Sequence, residues 1–277
     1  MQTVTRDYTY VLGQSNEEIA RLIFQSSFLN ELTRQTLLNA GIGPGMRVLD
    51  IGSGAGDVAL LAADLVGPAG EVVGIDLNDR PLEIARARAA EAWLTNVSFV
   101  QGDLHEMAYD GEFDVVTGRL VLLHCPDPVE AVRIAARAAR PGGVVMFQEL
   151  NLIPGSVRAY PTHPLIEAMD YWFAETVKRA GLQGDAGYRL FDYFVQAGLP
   201  EPRLAFQSAT GSGSTWEGGR WGAETLRAFL PAITATGVAT AEEIDVDTLA
   251  DRLRREVLTA GHVVKTPDCI SAWARKP

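Results

Sequence analysis

The chain has 277 residues, 47% hydrophobic and 21% charged, enough apolar material for one large α/β domain or a domain with an appended cap, with no low-complexity stretch to set aside as disordered. Against 24 basic residues stand 35 acidic ones, and the net charge of −11 gives a field that repels phosphate backbones and anionic lipid, which argues against nucleic acid or a membrane surface as partner. The two cysteines, Cys125 and Cys269, fall in different predicted elements, which excludes a disulfide framework and a Cys/His metal site and fits a cytoplasmic setting.

Met1 to Ser15 is mixed and polar rather than basic-then-apolar, and no run approaches the ~18–20 apolar residues of a membrane span, so neither a leader nor a span is expected. Ser15 with Glu18 makes a capping box. Ile19, Leu22, Ile23, Leu29, Leu32 and Leu37 then recur at helical spacing until Gly41, which predicts an N-terminal helical arm. After the break at Gly41-Ile42-Gly43-Pro44-Gly45, the run Arg47 to Ile51 suits a strand buried on both faces.

Helix-like and strand-like segments alternate from there: helices over 56–66, 81–93 and 128–139, and strands over 72–75, 97–100, 113–117 and 144–150, with Pro141-Gly142-Gly143 as a helix stop. Such alternation predicts a doubly wound, mostly parallel sheet covered on both faces. Beyond Asn151 the rhythm is lost. Helices are expected over 164–180, 188–197, 224–234 and 247–260, strands over 203–208 and 269–274, and a Gly-rich loop over 211–222 carrying Trp216 and Trp221. The expected division is an arm over 1–40, a binding core over 41–150, and lid helices with completion of the sheet over 151–277.

Gly52, Gly54 and Gly56 occupy every second position of the turn after the first strand, where glycine lets backbone approach a ligand and the next helix offers unpaired N–H groups. Asp76 closes the second strand. A carboxylate there, about 20 residues past a glycine turn, accepts hydrogen bonds from both hydroxyls of an adenosine ribose. Asp103, after the third strand, sits at the same carboxyl edge, where it can take an adenine amino group.

Leu49-Asp50-Ile51-Gly52-Ser53-Gly54-Ala55-Gly56, then Gly74-Ile75-Asp76, Gly102-Asp103-Leu104, Phe113-Asp114-Val115-Val116 and Arg140-Pro141-Gly142-Gly143-Val144 resemble, in order, the signatures of class I S-adenosylmethionine-dependent methyltransferases. The nearest flavour is the ubiquinone/menaquinone-biosynthesis type. The resemblance spans about residues 40 to 150 and implies a Rossmann-like, seven-stranded sheet whose last strand is antiparallel. It implies that Gly52, Ser53, Gly54 and Gly56 surround the methionine part of S-adenosylmethionine, Asp76 the ribose, and Asp103 with Leu104 the adenine. Asp50, Leu77 and Arg119 join the expected cofactor contacts. A nicotinamide-dependent oxidoreductase shares a glycine turn and a strand-end acid, but it prefers G-x-G-x-x-G, and no Tyr-x-x-x-Lys follows here.

Methyl transfer from a sulfonium is an in-line displacement that asks mainly for positioning, with a base needed only if the acceptor must lose a proton. His124, after the fourth strand, and Glu149, at the end of the fifth, are the candidate bases, with structural support or capping as their alternatives. Arg119 lines the cleft or pairs with a nearby acid. Tyr160, Tyr171, Trp172, Phe173, Tyr188, Phe191, Trp216, Trp221 and Phe229 gather beyond the core, and with Tyr8 and Tyr10 of the arm they suggest an apolar enclosure. The expected activity is methylation of O, N or C of a small aromatic or apolar metabolite, with S-adenosylhomocysteine as product, no metal, and a small molecule and at most a second copy of the chain as partners. The alternative from another class is a protein that binds the cofactor without transferring its methyl group, or uses the bound sulfonium in a rearrangement.

Overall fold

The computed structural model describes residues 16–277 apart from residue 107; Ser15 of the expected capping box, Tyr8 and Tyr10 lie outside the described residues. Helix α1 (Asn16–Ala40) leads into β1 (Arg47–Ile51), α2 (Asp57–Val66), β2 (Glu71–Asp76), α3 (Asp79–Glu91), β3 (Val97–Gln101) and β4 (Phe113–Arg119). A single 3-10 turn (Leu122–His124) precedes α4 (Pro128–Ala138) and β5 (Ala139–Leu150). The remainder runs β6 (Arg158–Tyr160), α5 (Pro164–Arg179), α6 (Ala186–Gln196), β7 (Arg203–Gln207), β8 (Thr210–Gly211), α7 (Gly218–Ala235), α8 (Ala241–Ile244) and α9 (Val246–Arg252). A π-helical turn (Leu253–Leu258), β9 (Val263–Lys265) and β10 (Cys269–Arg275) follow.

The main sheet has seven strands in the order β3-β2-β1-β4-β5-β10-β7. Strands β1 to β5 are mutually parallel, while β10 runs antiparallel to both of its neighbours. Val48 to Ile51 and Val72 to Ile75 are buried throughout, as a strand covered on both faces requires. Register aligns Ile51 with Ile75 and Gly118, and Asp76 with Gln101, so the turns after β1, β2, β3 and β4 open on one edge. That edge is where open α/β sheets bind ligands.

Helix α4 begins where its sequence dictates: the Asp127 side chain accepts from the Glu130 N–H at 3.0 Å, and Pro128 takes the first helical position. Pro141-Gly142-Gly143 does not only stop this helix. β5 starts five residues earlier than the apolar run predicts: Phe113 pairs with Ala139 and Val115 with Val144, and the intervening residues form an irregularity inside the strand.

One face of the sheet packs on α4 and α6 through Phe113, Phe147, Leu190 and Phe194, and the other on α2, α3 and the end of α1 through Leu37, Val48, Leu82 and Met146. Residues past Asn151 build a separate core of their own from Phe173, Leu226, Phe229, Ile233, Leu249 and Val257. A small sheet in the order β6-β9-β8, which no sequence pattern announced, joins this second core. Among the described residues no helix is long and apolar enough to cross a membrane, and no group of three or more His, Cys, Asp or Glu could hold a metal ion.

Candidate active site

The three glycines of the β1–α2 turn do three different things. Gly54 has φ +52°, and a Cβ built on it would meet nothing within 4 Å, so its main chain faces open space. A Cβ at Gly52 would lie 2.6 Å from Cγ2 of Val121, and one at Gly56 would lie 2.9 Å from Cβ of Ala85 and 3.0 Å from Cζ of Phe99. Gly56 does not line the cavity described below. Its expected place beside a ligand is therefore corrected: it lets α2, α3 and β3 pack closely.

Asp76 holds this turn from the tip of β2. Its Oδ2 accepts from the Gly54 N–H at 2.9 Å and its Oδ1 from the Asn78 N–H at 3.0 Å, while burial pushes its carboxyl upward against these hydrogen bonds. Asp103 likewise accepts from the His105 N–H at 2.8 Å. Both acids line one cavity of about 350 Å³, together with Asp50, Gly52, Ser53, Gly54, Leu77, Leu104, Arg119 and His124. That size falls in the ~300–1,000 Å³ range of small-molecule sites. Asp50 lies at its floor, 1% exposed, where burial pushes its carboxyl up to about 7 against the pull of Ser53 and Arg119.

After β4 the backbone turns sharply. Leu120 has φ +58°, a left-handed conformation rare for a branched residue and often found at functional sites. Glu149 is fully buried and its Oε1 accepts from the N–H groups of Val121 at 3.0 Å and Leu122 at 2.8 Å; burial pushes it up to about 7. It does not line the cavity, so the expectation that it touches an acceptor is corrected: it caps the turn that carries His124. His124 does face the cavity, and burial lowers its imidazole to about 4, which keeps the ring neutral near pH 7.

Arg119 lines the cavity, yet its guanidinium is committed to structure. Nη1 donates to Asn30 Oδ1 at 3.1 Å and Thr33 Oγ1 at 3.0 Å, and Nη2 lies 3.7 Å from Asp57. Thr33 in turn donates to Gln148 at 2.5 Å, and Gln148 donates to Ser271 at 2.9 Å. The arm is thereby tied to the sheet.

The opposite wall comes from α1, α5, α7 and the π-helical turn: Ile19, Leu22, Ile166, Met169, Phe173, Phe229, Leu253 and Val257 make it apolar. Of the aromatic residues read as an enclosure, Phe173, Trp216, Trp221 and Phe229 line the cavity, while Tyr160, Tyr171, Tyr188 and Phe191 are exposed. The loop expected over 211–222 is also corrected. Its ends are β8 and the first turn of α7, and between them the Trp216 indole fills the space over Gly211 and Gly218, where an added Cβ would meet it at 2.4 Å and 2.2 Å.

Sequence reasoning missed Arg21 and Gln25 on the cavity wall and the stacking of Phe28 on Trp221. The i, i+4 spacing of Arg21 and Gln25, beside apolar Ile19 and Leu22, was the available signal that this face of the arm is covered.

A family model described as a methyltransferase domain matches residues 42–193, more than half of the chain. A ubiquinone/menaquinone biosynthesis C-methyltransferase from Ectopseudomonas mendocina is 38% identical over 135 residues, covering 47% of this chain and 52% of that protein. The chain thus spans about half the length of that curated relative. A demethylmenaquinone methyltransferase from Shouchella clausii is 27% identical over 225 residues, 72% of this chain and 95% of that one. Among solved structures, the YcgJ protein from Bacillus subtilis superposes with a TM-score of 0.56 at 19% identity, covering 89% of this chain and 98% of the other, a likeness of fold.

Proposed function

Because the chain belongs to the methyltransferase-domain family, we propose that it transfers the methyl group of S-adenosylmethionine to O, N or C of a small aromatic or apolar acceptor. The observation that carries this reading is the Gly54 main chain, open to the cavity and pinned by Asp76, with Asp103 on the neighbouring strand tip. The residues fit the cofactor. A side chain at Gly54 would fill the approach, and the Asp76 carboxylate oxygens keep further lone pairs beyond the two backbone bonds they accept.

On this reading Gly52, Ser53 and Gly54 hold the methionine part, Asp76 the ribose, and Asp103 with Leu77 and Leu104 the adenine, over a floor formed by Asp50. Residues 41–150 carry the cofactor, and 16–40 with 151–277 close over the acceptor; the first fifteen residues of the expected arm over 1–40 lie outside the described residues. When bound, the cofactor supplies a methyl carbon on a positively charged sulfur. The chain's part is to exclude water and align the acceptor, which the apolar wall of α1, α5 and α7 is built to do. His124, neutral and weakly basic, takes a proton from an acceptor acidic enough to lose one. Glu149 holds the His124 turn in place.

Calorimetry with S-adenosylhomocysteine tests the assignment. Asp76→Ala should weaken binding by roughly 1–3 kcal/mol, the scale of lost charge-assisted hydrogen bonds. Unchanged affinity would remove Asp76 from the site, and cofactor binding without turnover on any acceptor would leave a binding protein rather than an enzyme.

A further inference from the structure

The main sheet ends at β7, whose side away from β10 pairs with no strand among the described residues. An edge strand leaves alternate N–H and C=O groups unpaired, and natural sheets usually blunt it with charge, proline or a bulge. This one reads Arg203-Leu204-Ala205-Phe206-Gln207, charged only at its first residue, without proline and in unbroken register with β10. Leu204 and Phe206 share one face and are 52% and 59% exposed.

That face continues onto α6. Tyr188, Phe191 and Val195 fall at i, i+3 and i+7 and are exposed, while Leu190 and Phe194 of the same helix turn into the core. The Tyr188 ring lies 6.4 Å from that of Phe206, so helix and strand form one apolar patch. It offers on the order of 500 Å² per copy, near the upper end of what a monomer ordinarily leaves bare.

We propose that β7 pairs antiparallel with β7 of a second copy of this chain, about a twofold axis that passes through Ala205 perpendicular to the sheet. Such an axis keeps α6 on the same side of the joined sheets in both copies. Leu204 then stands opposite the partner's Phe206, an apolar pair made twice, and Arg203 stands opposite the partner's Gln207, so no like charges meet within the paired strands. The stripe on α6 meets its own counterpart across the axis. The chain as a whole carries −11 and repels its copy, yet around this patch the exposed Arg189 and Arg203 balance Asp192 and Glu201. Two copies together cover about 1,000 Å² of apolar surface, where specific interfaces begin, and the strand pairing adds backbone hydrogen bonds. A lipid surface could cover the apolar side chains but could not pair the amides of the strand.

Sedimentation velocity on the full chain at about 100 µM, above the micromolar dissociation constants of weak interfaces, should give twice the mass of one chain. Phe206→Glu should give the mass of one chain, while Tyr160→Glu, exposed on the small sheet, should leave the doubled mass unchanged. Ala205→Cys places a thiol opposite its own copy at a Cα separation of about 4.5–5.5 Å, within disulfide range, and should give a covalent dimer on mild oxidation. Tyr160→Cys should give none. A native chain that sediments as a monomer overturns the proposal without any variant, whether or not it floats with phosphatidylglycerol vesicles. A dimer that survives Phe206→Glu, or that yields no cross-link through position 205, overturns it as well.

Discussion

Spacing alone announced the glycine turn, but not which glycine faces a ligand, because that depends on what packs against each Cα from elsewhere in the chain. The structure separates them, and the separation is measurable. Gly56→Ala forces a Cβ against Ala85 and Phe99 at a left-handed φ of +85°, and should cost about 1–3 kcal/mol of stability. Gly54→Ala meets open space, so its stability loss should stay near ~1 kcal/mol while its affinity for S-adenosylhomocysteine falls by more than tenfold. Denaturant titration and calorimetry on both variants check this; two variants with the same profile would erase the distinction. Asp76 was legible for a similar reason in reverse, since a strand-end acid needs only the local pattern. For Glu149 the sequence left acceptor contact and capping both open and could not name what is capped, because its partners, the Val121 and Leu122 amides, lie 28 and 27 residues away.

At the scale of elements, α1 shows what periodicity conveys and what it omits. The spacing of Ile19 to Leu37 gave the helix, yet the polar face that includes Thr33 and Thr36 is buried as well. Those threonines enter a hydrogen-bonded chain from Arg119 through Thr33 to Gln148 and Ser271 that joins the arm to β4, β5 and β10. Thr33→Val would leave Arg119 and Gln148 each short of a partner. It should destabilise the protein by roughly 1–3 kcal/mol and speed amide hydrogen exchange along α1. Exchange in α1 that matches the native protein would mean the apolar contacts alone hold it. Strands β1, β2, β4 and β5 were readable as buried runs of four or more residues, whereas in β3 only Phe99 is buried and the alternation with neighbouring helices carried the reading. Strands β6, β8 and β9, of three, two and three residues, are too short to carry a period of two, and they exist only because distant segments pair. The π-helical turn at Leu253–Leu258 was read as plain helix for the same want of a local signal.

For the whole molecule, the buried titratable groups set how stability responds to pH. Asp50 and Glu149 are pushed up to about 7 in the fold, against about 4 in an unfolded chain. Between those values the native state binds more protons than the unfolded one, so stability falls as pH rises through the window. His124 has the opposite sign: lowered to about 4 in the fold from about 6.5 unfolded, it makes stability fall as pH drops from 6.5 towards 4. Glu149→Gln keeps the oxygen that caps the turn and removes one of the falling contributions. Relative to the native protein it should gain on the order of 3 kcal/mol between pH 4.5 and 7.5. Denaturant midpoints at the two ends of that range decide it, and parallel curves would mean that Glu149 is ionised in the fold. The loss of β/α alternation at Asn151 was legible at this scale; beyond it a second hydrophobic core gathers, while α6, β7 and β10 return to the main sheet. What alternation could not convey is that one cavity runs between the two cores, because its walls are drawn from segments as far apart as Ile19 and Val264.

Strand β10 lies between β5 and β7, although it follows them by more than 60 residues. A polypeptide emerging from the ribosome therefore carries two unfinished sheet borders, Ala139–Leu150 and Arg203–Gln207, until Cys269–Arg275 arrives to bridge them. The edge that carries the glycine turn, on strands β1 to β4, can form early in synthesis, but the sheet is completed only by a late stretch of chain, and until then its bare strands are open to wrong partners.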